Sequence, residues 1–199
     1  MVTPLVVATA LFMENLDSTV ISTSLPAIAA DLHEDPVALK LALTAYLLSL
    51  AIFIPASGWT ADRFGARKVF RAAILVFALG SILCGLSSTL PQFVGARMIQ
   101  GMGGGRLGVV RPVPRSGFVD AMAWLTVPAL IGPVIGPPLG GFITTYFDWR
   151  WIFWINIPIS ILGVVLASIY IADVREEDTP PLDLVGFLLI GVALSCLIF

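Results

Sequence analysis

The chain has 199 residues, of which 58% are hydrophobic and only 12% charged, and its net charge is −2. A soluble domain carries about a quarter charged residues, and at a mean hydropathy of +0.97 no soluble fold of this size hides its apolar surface. So small a charge does not suggest nucleic acid, and none is expected as a partner; the one histidine, His33, builds no metal site.

A helix that crosses a bilayer needs about 20 mainly apolar residues. Six stretches meet that length and a seventh begins, so the chain is expected to be an all-α membrane protein. The first runs from Pro4 to Ala30 and holds the polar run Glu14, Asn15, Asp17, Ser18 and Thr19. Its two acids, its length and the lack of a basic start set it apart from a cleavable signal peptide. The second runs from Leu39 to Ser57 and opens into the segment Gly58-Trp-Thr-Ala-Asp-Arg-Phe-Gly-Ala-Arg-Lys68. There Gly58 and Gly65 allow a tight turn, and Asp62 is placed to cap a helix or pair with Arg63, Arg67 or Lys68. This segment reads either as a topology anchor or as a salt bridge that changes with conformation.

The third stretch runs from Val69 to Ser88, and the fourth from Pro91 to about Val110, carrying Arg97 and Gln100 on one face. The fifth, Ala121 to Tyr146, repeats glycine at 132, 136 and 140 and holds Pro128, Pro133, Pro137 and Pro138. Glycines four apart form a bare ridge for a neighbouring helix, while prolines remove backbone donors and favour kinks. Gating and tight static packing both fit that pattern. The sixth stretch is Trp151 to Ala172, and the last is still apolar from Leu184 to Phe199. Residues 1–172 are therefore expected to form a six-span bundle, 173–182 a cytoplasmic loop, and 183–199 a partial seventh span. Backbone groups in lipid must be satisfied within the segment, so the spans are helices; a β-barrel would show short alternating segments. Cys84 and Cys196, each inside an apolar run, read as small core residues.

Basic residues set the orientation. Arg63, Arg67, Lys68, Arg71, Arg111, Arg115 and Arg175 fall on one side, with Arg106 at the border, against Lys40 and Arg150 on the other. Basic loops stay in the cytoplasm, so the N-terminus is expected inside a cytoplasmic membrane and Asp31, Glu34 and Asp35 outside.

Polar residues inside spans are the informative ones, because a charge at mid-bilayer costs about 2.5–3.5 kcal/mol on insertion scales. Glu14 and Asp17 are three apart on one helix, as are Arg97 and Gln100 on another. Asp17 with Arg97 reads as a proton or cation site, or as a structural ion pair. Glu14 reads as part of that site, or as a residue snorkelling to the interface. A central polar cleft among spans one, two, four and five is expected, with Asp17 facing it. No catalytic signature accompanies these residues: Gly-x-Ser-x-Gly and His-Glu-x-x-His are both missing from the sequence, so an enzyme is not expected, and no cofactor.

Together these motifs resemble the major facilitator superfamily, and within it the drug:proton antiporters with fourteen spans. Leu16-Asp-Ser-Thr-Val-Ile-Ser-Thr-Ser-Leu-Pro26 is similar to that branch's span-one signature. The segment from Gly58 to Arg71 resembles the superfamily's cytoplasmic loop, with Thr60 and Ala66 departing from its leucine and first basic position. Arg97-Met-Ile-Gln-Gly101 resembles the span-four motif, and Gly132-Pro133 with Gly136-Pro-Pro-Leu-Gly-Gly141 the antiporter motif of span five. Asp148-Trp-Arg-Trp-Ile-Phe-Trp-Ile-Asn-Ile-Pro158 is also typical of the branch. The resemblance implies two inverted three-helix repeats, with Asp17 as the protonatable acid and Arg97 assisting it. It implies a gate latch of Gly58, Asp62, Arg63, Gly65, Arg67 and Lys68, and a hinge at Gly132, Pro133, Gly136, Pro137, Gly140 and Gly141. The implied partners are the lipid bilayer, protons and a small, lipophilic substrate, with a C-terminal half that this chain does not carry. A truncated remnant, non-transporting or assembling with another membrane protein, is the alternative expectation. One departure concerns span four: eight residues separate Arg97 from Arg106, about 13 Å of helix, so both keep the family's depths only if the helix shifts or unwinds.

Overall fold

The computed structural model describes residues 2–105, 118–171 and 183–198. Helix α1 spans Val2–Leu32 and α2 spans Pro36–Phe64. Between them His33 takes a positive φ of 55°. Asp35 then caps α2, its side chain accepting the Val37 N–H at 2.7 Å, and Pro36 opens the helix where no backbone donor is needed. Helix α3 spans Ala66–Leu86, α4 Leu90–Gly104 and α5 Phe118–Tyr146. A four-residue helix α6, Trp151–Trp154, is followed after Ile155 by α7, Asn156–Tyr170, and α8 spans Leu184–Ile198.

The predicted sixth span is thus one rod with a hitch, since Ile155 keeps helical angles. Pro158 explains the hitch: it offers no N–H to the Trp154 carbonyl four residues back, and its ring crowds that carbonyl. Residues 151–170 together, α2 and α3 are each long and apolar enough to cross a membrane. Helix α4 covers 15 residues, about 22 Å; the rest of the predicted fourth span, Arg106 included, lies outside the described residues. So do Arg111, Arg115 and Arg175 and the predicted loop 173–182.

The sequence places the α2–α3 connection in a loop from Gly58 to Lys68, but the structure makes it a single residue. Helix α2 continues to Phe64, and Gly65, at φ 94°, turns the chain directly into α3. That φ is open to glycine and strained for other residues. Gly58 therefore serves no turn: it lies inside α2 with open space where a side chain would be.

Helix α1 is the centre of the packing, laid along α5 and also against α7, while α4 lies between α2 and α3. Two apolar clusters fill the bundle. One joins Leu16, Val20 and Ile28 to Phe93, Trp149 and Phe153. The other joins Val6, Met13 and Tyr46 to Phe70, Phe77 and Ala167. The buried polar residues Asp17, Ser81, Arg97, Gln100 and Asn156 come from the stretch of each helix where the two clusters meet.

Candidate functional site

Asp17 sits near the middle of α1, about 22 Å along the helix from either end. Its carboxylate is fully buried against the fully buried Arg97 of α4, with Arg97 Nη1 at 2.6 Å from Oδ2. The other oxygen, Oδ1, accepts from Gln100 Nε2 at 3.0 Å and from Asn156 Nδ2 at 2.8 Å. Both amides also donate to Ser81 Oγ of α3, at 3.1 Å and 2.9 Å. Arg97 Nη1 donates to Gln100 Oε1 as well, and the Cys84 thiol approaches the same oxygen at 3.8 Å. The Arg97 guanidinium lies over the Tyr46 ring of α2, 4.2 Å from its centre, a cation–π contact strengthened by the burial of both side chains. Helices α4 and α7 thus converge on the carboxylate of α1, α3 joins through Ser81, and α2 backs its counter-ion.

The helices reach this seam because glycine lets them. At Gly80 of α3 a side chain would stand 2.6 Å from the Gln100 backbone. Only a bare position lets α3 approach α4 closely enough for Ser81 to meet Gln100.

Of the residues singled out in the sequence, Asp17, Arg97 and Gln100 come together as one hydrogen-bonded group. Glu14 does not join it. It is half-buried, and its Oε1 faces Gly104 on the side where the Tyr46 hydroxyl also lies. The expected cleft among spans one, two, four and five, with Asp17 turned into it, is not what the structure shows. Asp17 faces α3, α4 and α7, and the gap beside it, between Leu16, Val20, Ile143, Ile152 and Asn156, is too small for a water molecule. Polarity along α1 left its rotation open; pairing with Arg97 resolves it towards the bundle interior.

The α5 glycines form the predicted ridge, and its partner is α1. A side chain at Gly132 would meet Asn15 at 3.0 Å, one at Gly136 would collide with Thr19, and one at Gly140 with Thr23. Gly141 has open space around it, and Pro133, Pro137 and Pro138 lie exposed. At the α2–α3 turn, Asp62 is half-buried and Lys68 exposed. Arg63 lies 5.8 Å from the centre of the Trp59 ring, and Arg67 Nε donates to the Ile171 carbonyl after α7. That bond ties the turn to the far end of the sixth span.

Two groups of residues were not singled out. Asn156 and Ser81 complete the Asp17 site. An asparagine in an otherwise apolar span carried the same insertion-cost signal as Asp17, whereas a serine in a span is too common to be one. At the opposite end of α1, Arg150 Nη2 meets Asp31 at 3.0 Å, Arg150 Nη1 meets Asp148 at 3.4 Å, and Trp149 Nε1 donates to Asp31 at 3.1 Å. No cluster of metal-ligating side chains occurs among the described residues.

The chain has relatives. The family profile of the Major Facilitator Superfamily matches residues 7–198. MdtD of Yersinia enterocolitica serotype O:8, provisionally named a multidrug resistance protein, is 41% identical over 198 residues, which cover 96% of this chain and 42% of the relative. MdtD of Salmonella typhimurium, with the same provisional name, is 44% identical over 202 residues, covering 96% and 42%. The chain therefore spans less than half the length of these curated relatives. Among solved structures, the proton:xylose symporter XylE bound to 6-bromo-6-deoxy-D-glucose aligns with a TM-score of 0.75 at 16% identity, over 99% of this chain and 51% of that one. The human organic anion transporter MFSD10 aligns with a TM-score of 0.69 at 17% identity, over 94% and 52%. At those identities the likeness is one of fold: the bundle matches about half of each transporter.

Proposed function

The chain belongs to the major facilitator superfamily, a family of multi-pass membrane transporters rather than enzymes, and from that premise we propose that it forms the N-terminal bundle of a proton-coupled antiporter exporting small, lipophilic molecules. The observation that carries the reading is the buried Asp17–Arg97 pair at 2.6 Å, drawn from the first helices of the two successive three-helix sets. Antiport needs one group that takes up a proton in exchange for substrate. A carboxylate whose charge is matched by an arginine on another helix couples its protonation to how those helices sit, because losing the negative charge releases the arginine. The provisional names of the MdtD relatives support a drug-like substrate.

Residues 1–172 would form the bundle and 183–199 the start of a seventh span, joined by a cytoplasmic loop at 173–182. The substrate would lie between this bundle and a second half, with protons and the lipid bilayer as the remaining partners and no nucleic acid. The turn at Gly65, with Asp62, Arg63, Arg67 and Lys68, would act as the cytoplasmic latch, and Gly58 would only space the helix. The α1–α5 seam at Gly132, Gly136 and Gly140 would be the surface on which the helices shift, with Pro133, Pro137 and Gly141 on its outer side.

The decisive experiment uses the full-length protein. Asp17→Asn keeps the shape of the side chain and removes its proton. It should abolish proton-driven efflux with insertion intact, and pumping at near-normal rate would overturn the reading. Orientation has its own check in a cysteine-free background: an impermeant thiol reagent added outside should label Asp35→Cys and leave Ala66→Cys untouched. Labelling at position 66 would invert the topology.

A further inference from the structure

We propose that Asn156 and Ser81 are the positioning pair that holds Asp17 in both of its protonation states, the Asn156 amide turning over when the acid gains its proton. The proposal rests on the reading of Asp17 as the proton carrier.

In the structure the Asp17 carboxylate meets donors only: Arg97 Nη1 on one oxygen, and Gln100 Nε2 and Asn156 Nδ2 on the other. That set suits a carboxylate. A neutral carboxylic acid has an O–H of its own that must find an acceptor, and leaving such a group unpaired in a dry interior is costly. The gap that adjoins the acid among the described residues is too small for a water molecule, so the side chains around it are the first candidates to supply that acceptor.

The neighbours divide sharply. Arg97 has donors and no acceptor. Gln100 has an acceptor, but its Oε1 is already engaged by Arg97 Nη1 and the Cys84 thiol. Of the other titratable groups around Asp17, Glu14 on α1 makes no hydrogen bond to it among the described residues. The Tyr46 hydroxyl on α2 has no hydrogen-bond partner among the described residues and lies beside Gly104. The Cys84 thiol on α3 is spent on Gln100, and no titratable side chain of α7, or of the described part of α5, reaches the acid.

Asn156 remains. Its Nδ2 makes both of the side chain's hydrogen bonds among the described residues, to Asp17 Oδ1 and to Ser81 Oγ. A half-turn of the amide presents its Oδ1 to the same two atoms in nearly the same volume. Ser81 is able to follow, because its Oγ now accepts from two amides and its own O–H is free to rotate. After the turn, the Asp17 O–H and the Ser81 O–H both donate to Asn156 Oδ1, and Ser81 Oγ still accepts from Gln100. The Asn156 N–H groups give up both of their present partners, which is the cost set against pairing the two hydroxyls. The only atom added is one proton on Asp17 Oδ1, drawn from the aqueous phase, and the site's charge rises by one. The state of the acid is thereby passed to α3 and α7, neither of which carries a charge of its own at the site.

The test is infrared difference spectroscopy of the 199-residue chain in lipid vesicles across pH, with the Asp17 acid band identified by its loss in Asp17→Asn. We expect an acid C=O stretch at the frequency of a hydrogen-bonded carboxyl, together with an asparagine amide band that changes at the same midpoint. Asn156→Leu should lose the amide band and move the acid stretch up to the frequency of an unpartnered carboxyl. Ser81→Ala, a smaller change that preserves packing should the leucine variant fail to fold, should move the acid stretch upwards by less. An Asp17 band that titrates at unchanged frequency in both variants overturns the amide turn and leaves the proton carrier standing. If no band disappears in Asp17→Asn at any pH, Asp17 never protonates, and the proposal falls together with that part of the functional reading.

Discussion

Helix α1 carries two acids that pair with arginines, and the two pairs share one chemistry in two environments. Asp17 and Arg97 meet at 2.6 Å with both side chains fully buried. Asp31 and Arg150 meet at 3.0 Å at the end of the bundle, with side chains 44% and 30% exposed. The inner pair is held by two amides, Gln100 on α4 beside Arg97 and Asn156 on the further helix α7. The outer pair is held by its own turn: Arg150 also bonds Asp148 and stacks 4.5 Å from the centre of the Trp149 ring. In water or among headgroups, an exposed pair is worth about 0–1 kcal/mol. A buried pair stabilises little as a pair, yet breaking it is expensive because one charge is left stranded. The difference is one of dependence: the inner pair exists only where α1 and α4 are packed together, whereas the outer one is fastened at the surface from its own turn.

The largest expected effect follows from stranding a charge. Arg97→Met in the chain should cost about 3–5 kcal/mol, read from denaturant titration in detergent micelles. The double variant Asp17→Leu with Arg97→Met should recover most of that loss, since two apolar side chains replace a pair that was neutral overall. A double variant no more stable than Arg97→Met would mean that Asp17 is not stranded by the single change, and the inner pair would then be no different from the outer one.

A smaller effect is expected beside the inner pair, where α5 fits against α1. Gly136→Ala sets a methyl against Thr19, and such overpacking costs about 1–3 kcal/mol. Gly141→Ala, five residues on with open space around it, should stay within about 0.5 kcal/mol of the native chain. Equal losses at 136 and 141 would show that the ridge does not set the α1–α5 distance.

Smallest of all is the outer pair. Asp31→Asn should cost less than about 1 kcal/mol and should lose even that as salt is raised. The Trp149 Nε1–H still finds the asparagine oxygen, so the turn keeps its hydrogen bond. A loss comparable with that of Arg97→Met would make the outer cluster a second site rather than a fastening.

Much of the architecture was legible because the cost of moving a residue into lipid belongs to that residue alone. Apolar runs gave the number of spans, and Asp17, Arg97 and Gln100 stood out as residues that lipid does not accept, so each had to turn inward. The glycine spacing at 132, 136 and 140 gave a ridge for the same reason: a missing side chain is visible without its neighbour. Pro158 lay in plain view, but its effect, the hitch at Ile155, depended on the helix continuing past it.

The tertiary structure decided what depends on pairs. Each residue turns a helix by about 100°, so a small rotation of α1 would move Asp17 from the α3–α4–α7 seam to another face without altering the sequence pattern. Pairing with Arg97 fixed that rotation, removed the expected cleft at Asp17, and brought in Asn156 and Ser81. The turn was settled in the same way: glycine at 58 and at 65 offered two places to bend, and the helical hydrogen bonds of α2 ran on through the first and stopped at the second. Whether a residue belongs in lipid is a property of the residue; which residue it meets depends on the rotation and spacing of helices, and only the packed bundle sets those.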